Sequence, residues 1–163
     1  MSEGVDSPGV RFPPPFVFAG CFLAGMAVQR LLPVPIAPAR WHTAAEAAGL
    51  VLVIAGLLLV MNALLLFFRA HTSIMPHGGA TLLVDRGVYR ITRNPMYSGL
   101  ALLHAGLALL LNQLWPLLLL PLAVVLMQRY IIAREEAYLS RRFGAAYDEF
   151  RRRVPRWPFI GYG

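Results

Sequence analysis

Lysine is absent from this 163-residue chain, and cysteine occurs once, as Cys21. Charge is scarce: 14% of the residues are ionised, against roughly 25% in an average soluble domain. One cysteine excludes a disulfide scaffold. A hydrophobic content of 58% and a mean hydropathy of +0.59 exclude a disordered or collagen-like chain. No glycine-rich dinucleotide or phosphate loop is present, since Gly78-Gly79 stands alone, and there is no nucleophile elbow. His42, His71, His77 and His104 are dispersed without paired-ligand spacing or cysteine partners, which argues against a metal site. No internal repeat is found.

What the chain does have is long apolar runs. Phe16 to Leu32 is broken only near its end, by Gln29 and Arg30, and is close to the shortest run that crosses ~30 Å of hydrocarbon. Ala44 to Phe68, with Glu46 at its start and Asn62 inside, is ample. Tyr97 to Leu111 and Leu114 to Ile132 follow, separated only by Asn112 and Gln113, a connection so short that it predicts an antiparallel helical hairpin. Pro116 suits a first helical turn, and Pro121 is expected to kink the fourth helix. The predicted fold class is an all-α integral membrane protein of about four transmembrane helices. Residues 1–15, with Pro8 and Pro13 to Pro15, read as a flexible lead-in, and 16–163 as one domain.

The charge that remains is mostly arginine, fifteen in all, giving a net charge of +7. These arginines flank apolar runs, so they point to a membrane surface and not to nucleic acid. Arg69, Arg86, Arg90 and Arg93 occupy the long connection, the tail from Arg129 to Arg156 holds eight more, and the 112–113 turn holds none. Positive-inside bias therefore places the long connection, the tail and the N-terminus in the cytoplasm. Arg11, an apolar stretch and Ala37-Pro38-Ala39 imitate a signal peptide, but Arg30 interrupts the region between, so no cleavage is expected. The Ala-, Leu- and Arg-heavy composition suggests a bacterial inner membrane.

Ser98, Ala101, Ala105 and Ala108 recur at helical spacing on the third run, and Gly20, Ala24 and Gly25 on the first, as small residues that let helices approach closely. His104 and Asn62 lie within the membrane. Each reads either as a functional group or as a neutral side chain bonded to a neighbouring helix. Cys21 reads as a small buried residue.

Polar residues concentrate in two blocks, Thr81 to Gly99 and Arg134 to Tyr147. The hairpin brings the start of its first helix and the end of its second to one membrane face, so Arg93 to Tyr97 should lie near Glu135 and Glu136. Carboxylates there can hold an ammonium or paired hydroxyls, guanidinium groups a carboxylate, and Tyr89 or Tyr97 can stack. The helix start at Asn94-Pro95 offers unpaired backbone N–H groups. The alternative is an arginine belt with the glutamates paired to Arg134 or Arg141 on the helix surface. On an unbroken helix, Glu135 shares a face with Gln128, Ile131, Ile132, Leu139 and Arg142, which leaves Glu136 with Arg129 and Ser140.

The segments Gly87-Val88-Tyr89-Arg90, Arg93-Asn94-Pro95-Met96-Tyr97-Ser98-Gly99, Glu135-Glu136, Phe143-Gly144-Ala145-Ala146-Tyr147 and Val154-Pro155 together resemble the isoprenylcysteine carboxyl methyltransferase family. That family shares its C-terminal pattern with phospholipid N-methyltransferases, and the likeness covers about residues 65–160, which implies a catalytic region at about 69–160. The resemblance implies S-adenosylmethionine as cofactor, with contacts from Thr81, Leu82, Leu83, Val84, Tyr89, Asn94, Pro95, Met96, Tyr97 and Glu135. Arg93, Asn94 and Arg134 are the candidate catalytic residues, and Arg129 and Arg134 the candidate substrate contacts. Members often carry His where this chain has Asn94, and Asn does not titrate near neutral pH. Glu136 is then expected to be a surface partner of an arginine.

The chemistry so implied is methyl transfer at the membrane to a lipophilic acceptor, with a carboxylate or thiol favoured because a carboxylate or thiolate needs no base at the moment of attack. A phospholipid amine methyltransferase and a non-catalytic membrane binding or assembly module are the alternatives. The expected partners are the lipid bilayer and a lipophilic substrate, with no nucleic acid. The sequence sets no oligomeric state.

Overall fold

A computed structural model describes residues 13–69 and 83–158. Helix α1 is Pro14–Leu31, entered through prolines whose fixed φ suits a first turn. After a 3-10 turn at Ala39–Trp41 comes α2, His42–Arg69, whose 28 residues extend about 42 Å. A second 3-10 turn, Gly87–Arg90, precedes α3, Pro95–Leu110. Then come α4 (Leu114–Met127), a π-helical turn (Gln128–Ile132), α5 (Ala133–Phe143) and α6 (Ala145–Arg153). Gly144, at φ +53°, separates the last two, a conformation that side chains disfavour.

Among the described residues, three stretches are long and apolar enough to cross a membrane: Pro14–Leu31, Ala39–Arg69 and Leu114–Phe143. Pro95–Leu110 is a shorter apolar helix of 16 residues, about 24 Å long. The chain is thus an all-α, multi-pass membrane protein. The predicted runs fall on the observed helices, with one extension. The fourth continues as a helix past Ile132 to Phe143. It also runs through Pro121, and its departure from α geometry comes at Gln128–Ile132.

Antiparallel packing brings the start of α1, the end of α2, the start of α3 and the end of α4 to one end of the bundle. There Phe18 and Cys21 pack with Tyr97, Met127, Ile131 and Trp157. At the other end Asn112, in the left-handed region at φ +51°, pins the hairpin turn to the first connection. Its Oδ1 accepts from Ile36 N–H at 2.9 Å and Ala37 N–H at 2.8 Å, while its Nδ2 donates to the Ala37 carbonyl at 3.1 Å.

The most extensive helix pairing is α2 with α3, and it is built on glycine. A Cβ on Gly56 would stand 2.7 Å from the Gly99 carbonyl oxygen, and one on Gly99 2.8 Å from that of Gly56. Gly49 and Gly106 repeat the reciprocal contact, at 2.8 and 2.7 Å. Lipid tails are as apolar as leucine, so association gains from such close backbone approach. The small residues singled out in the sequence divide, with Gly25 serving the predicted close approach between helices. Ala101 packs on the Phe18 cluster, Gly25 abuts the Pro116 backbone, and Gly20 has no neighbour where a Cβ would stand. His104 takes the structural alternative: its Nε2 lies 2.8 Å from the Pro116 carbonyl oxygen, with Phe18 and Phe22 edge-on to its ring. Asn62 is exposed on α2.

Candidate active site

The start of α3 and the start of α5 meet as the hairpin predicts. Tyr97 is buried, and its hydroxyl donates to Glu135 Oε1 at 2.6 Å. Pro95 occupies the first helical position of α3, and Asn94 caps it without a side-chain bond to the helix. The Asn94 amide instead donates from Nδ2 to the Arg156 carbonyl at 3.2 Å. Tyr89 is buried against Phe67, edge to face at 5.6 Å. Burial raises the pKa of the Tyr89 phenol, and the nearby Glu135 charge raises it further. Val84 is buried in the same cluster as Tyr89, and Leu83 packs against it. Met96 packs on both apolar clusters and so joins this cluster to the one around Phe18. Thr81 and Leu82 lie outside the described residues.

Glu136 corrects the sequence reading. It is not a surface partner but the hub of a buried ion cluster. Arg93 Nη1 donates to its Oε1 at 2.9 Å, and Arg156 meets it with Nε on Oε1 at 2.9 Å and Nη2 on Oε2 at 2.6 Å. The Arg93 and Glu136 side chains are only 3% and 11% exposed. The Tyr147 hydroxyl stands 3.5 Å from Arg93 Nη1. Burial raises the pKa of the Tyr147 phenol, with the Glu136 charge adding to it, and the bond to Glu136 raises that of Arg156.

The π turn is the physical reason for the misreading. A π turn takes one residue more than an α turn, so everything after it is rotated by about 100° from the α expectation. The inward line accordingly runs Met127, Ile132, Glu136, all buried, with a step of five across Gln128–Ile132. On an unbroken helix the step of four would have led to Glu135. Both carboxylates now face protein: Glu136 holds the arginines, while Glu135 is half-buried beside Tyr97.

Arg93, a candidate catalytic residue, is thereby committed to an ion pair. Arg129 and Arg134, the candidate substrate contacts, are exposed on the π turn and α5. Three further residues escaped the sequence reading: Thr92, Arg156 and Trp157. Thr92 Oγ1 donates to the Arg156 carbonyl at 2.7 Å, and Trp157 is buried among Phe18, Cys21 and Tyr97. The only signal for them was their nearness to Arg93 and to Val154-Pro155.

The donor set suits a cofactor that is cationic at one end and rich in hydroxyls. It combines the Glu135 carboxylate, the start of α3 and apolar walls from Val84 and Met96. Among the described residues, no group of three or more His, Cys, Asp or Glu could hold a metal ion.

Comparison with known proteins bears on this arrangement. Protein-S-isoprenylcysteine O-methyltransferase of Schizosaccharomyces pombe is 36% identical over 74 residues, 45% of this chain and 31% of that protein. Protein-S-isoprenylcysteine O-methyltransferase B of Arabidopsis thaliana is 38% identical over 81 residues, 48% of this chain and 40% of that protein. The chain therefore covers well under half the length of either relative. No solved structure matches. The family model described as phospholipid methyltransferase matches residues 44–146, which takes in α2 through the start of α6 and so both halves of the Tyr97–Glu135 pair. This chain belongs to the phospholipid methyltransferase family.

Proposed function

We propose that this protein transfers a methyl group from S-adenosylmethionine to a lipophilic acceptor at the membrane, with a carboxylate the favoured acceptor. The observation that carries the reading is the Glu135–Tyr97 pair at the start of α3, in a chain of this family. Glu135 would hold the cofactor's ammonium or ribose hydroxyls through its second oxygen, Oε1 being taken by Tyr97. Leu83, Val84 and Met96 would supply apolar contact, Tyr89 a ring face, and Asn94 an acceptor. Thr81 and Leu82 are the further contacts that the family resemblance implies.

The bound cofactor supplies an electrophilic methyl on a sulfonium. When bound, it would give that methyl to an acceptor oxygen and keep the carbon–sulfur electron pair, so a carboxylate acceptor would ask the protein to move no proton. The protein's part is alignment and exclusion of water. Arg129 and Arg134, exposed at the end of the membrane span, would attract the acceptor carboxylate. Support for an oxygen acceptor comes from the two relatives, both named as O-methyltransferases. The positive-inside bias supports a cytoplasmic site, with both termini on that side.

A second reading, a phospholipid amine as acceptor, is favoured by the description of the matching family model. An ammonium must lose a proton before it can attack, and Glu135 would be the nearest carboxylate to take it. The test is to give the purified protein a labelled methyl donor with prenylcysteine analogues, phospholipids and small thiols in turn. Base-labile label on the prenylcysteine analogue supports the ester reading. Label on the phospholipid head group replaces it with the amine reading, and no label on any acceptor overturns both.

A further inference from the structure

Residues 154–157, after the last helix, lie back across the start of α3. The Arg93 N–H donates to the Pro155 carbonyl at 2.9 Å, and Thr92 Oγ1 and Asn94 Nδ2 both donate to the Arg156 carbonyl, at 2.7 and 3.2 Å. The Arg156 guanidinium clamps Glu136 with two bonds, and the Trp157 ring is buried beyond it. The chain end is thus tied to both helices of the candidate site, by main chain to one and by charge to the other.

One consequence falls on Asn94. A carbonyl oxygen only accepts, so the amide must present its NH2 group to Arg156, and Oδ1 is turned away from that contact. A free asparagine amide can rotate by half a turn and exchange donor for acceptor. Here the orientation is fixed by a residue 62 positions away in the chain.

We propose, resting on the methyltransferase reading above, that residues 154–157 are a strap that holds Asn94 as an acceptor towards the cofactor, with Arg156 as its positioning residue. Arg156 does this at one remove. Its side chain anchors the strap on Glu136, and its carbonyl sets the amide. Without the guanidinium the strap loses its link to α5 and keeps only the bonds to Arg93 and Thr92 and the buried Trp157 ring, so the carbonyl is held less firmly and Asn94 samples more often the orientation that offers a donor to a cationic group.

The test titrates S-adenosylhomocysteine calorimetrically into the full-length protein in detergent, for the wild type, Arg156→Ala, Asn94→Ala and the double variant. Arg156→Ala is expected to weaken binding about tenfold in the wild-type background and less than about twofold in the Asn94→Ala background. Arg156→Lys keeps the charge without the planar fork and should recover part of the affinity. Amide exchange of the peptide containing Arg93 reads the strap itself, whatever binds, and should accelerate in Arg156→Ala. Equal losses in both backgrounds would mean a general effect on the fold and overturn the proposal. Wild-type binding that Arg156→Ala leaves unchanged would overturn the strap alone. A wild type that binds no S-adenosylhomocysteine overturns the methyltransferase reading, and the strap's role with it. Should Arg156→Ala fail to fold, Thr92→Val removes one bond to the same carbonyl at nearly constant volume, together with the bond that Thr92 Oγ1 accepts from the Asn94 N–H at 3.2 Å. The same dependence on Asn94 is expected from it, and an equal loss in both backgrounds overturns the proposal.

Discussion

Helix α3 is held in two different ways along its length. Along the α2 seam, Gly99 and Gly106 meet Gly56 and Gly49 through bare backbone, with no charge involved. At its start, Arg93 is fixed by Glu136, and Tyr97 is bonded to Glu135. In lipid there is no hydrophobic gain from bringing helices together, so contact is won by removing side chains until backbones touch. At the membrane edge charges are available, and one carboxylate ties two arginines from remote parts of the chain. The seam sets distance, and the ion cluster sets identity and register.

The comparison is broken most severely at Glu136. Glu136→Gln leaves the buried Arg93 guanidinium, and the partly exposed one of Arg156, facing a neutral amide. Removing one partner of a buried pair typically costs about 3–5 kcal/mol. Thermal unfolding in detergent should therefore show a larger loss for Glu136→Gln than for a substitution at Glu135, in the glycine seam or at Glu149. A midpoint close to the wild type would mean that water reaches the cluster and that its burial counts for little.

Glu135→Gln separates binding from stability. The amide oxygen still accepts from the Tyr97 hydroxyl, so the fold should hold. The charge-assisted bond proposed between Glu135 and the cofactor would be lost, worth roughly 1.5–3 kcal/mol, or about 10- to 150-fold in affinity for S-adenosylhomocysteine. Titration of both variants sharpens the contrast between the neighbours: one carboxylate proposed to serve the ligand, the other bonded within the fold. Unchanged affinity in Glu135→Gln would remove the cofactor assignment from this helix end.

The glycine seam comes next. Gly99→Ala places a methyl against the Gly56 carbonyl and Val60, where the nearer obstacles include fixed backbone. Overpacking of this kind costs typically 1–3 kcal/mol. Scanning fluorimetry should show the loss, and cofactor affinity should move far less than in Glu135→Gln. A large affinity loss with little change in stability would show that the seam and the site are one unit.

The helices were legible because lipid imposes a length, and apolar runs at Ala44–Phe68 and Leu114–Ile132 meet it visibly. The meeting of Tyr97 with Glu135 followed from the two-residue turn at Asn112-Gln113. The place of Glu136 did not follow, because the π turn at Gln128–Ile132 adds a residue that no composition signal marks. The glycine seam was written in the equal spacing of Gly49 to Gly56 and Gly99 to Gly106. It was hidden by the more conspicuous Ser98–Ala108 series on the same helix. The strap was illegible for a different reason: bonds from Thr92 and Asn94 to the Arg156 carbonyl depend on backbone position, and a carbonyl has no letter in the sequence.

The smallest effect is expected at Glu149, and it isolates burial from distance. Arg152 Nη2 stands 2.6 Å from Glu149 Oε2, the same separation as Arg156 Nη2 from Glu136 Oε2. The difference lies in water: the Arg152 and Glu149 side chains are 71% and 51% exposed. The bond to Arg152 holds the Glu149 carboxyl below its usual pKa, with Arg153 adding to the effect. A lowered folded-state value means that any stability it lends is present above the unfolded value and is lost as pH falls through the folded one. For a fully solvated pair that contribution is screened by solvent and salt, and the entropy of holding two long side chains offsets much of it. Glu149→Gln should therefore leave the melting midpoint within measurement error at neutral pH and leave its acid limb unchanged. A loss approaching that of Glu136→Gln would show that separation, and not exclusion of water, decides what an ion pair is worth in this protein.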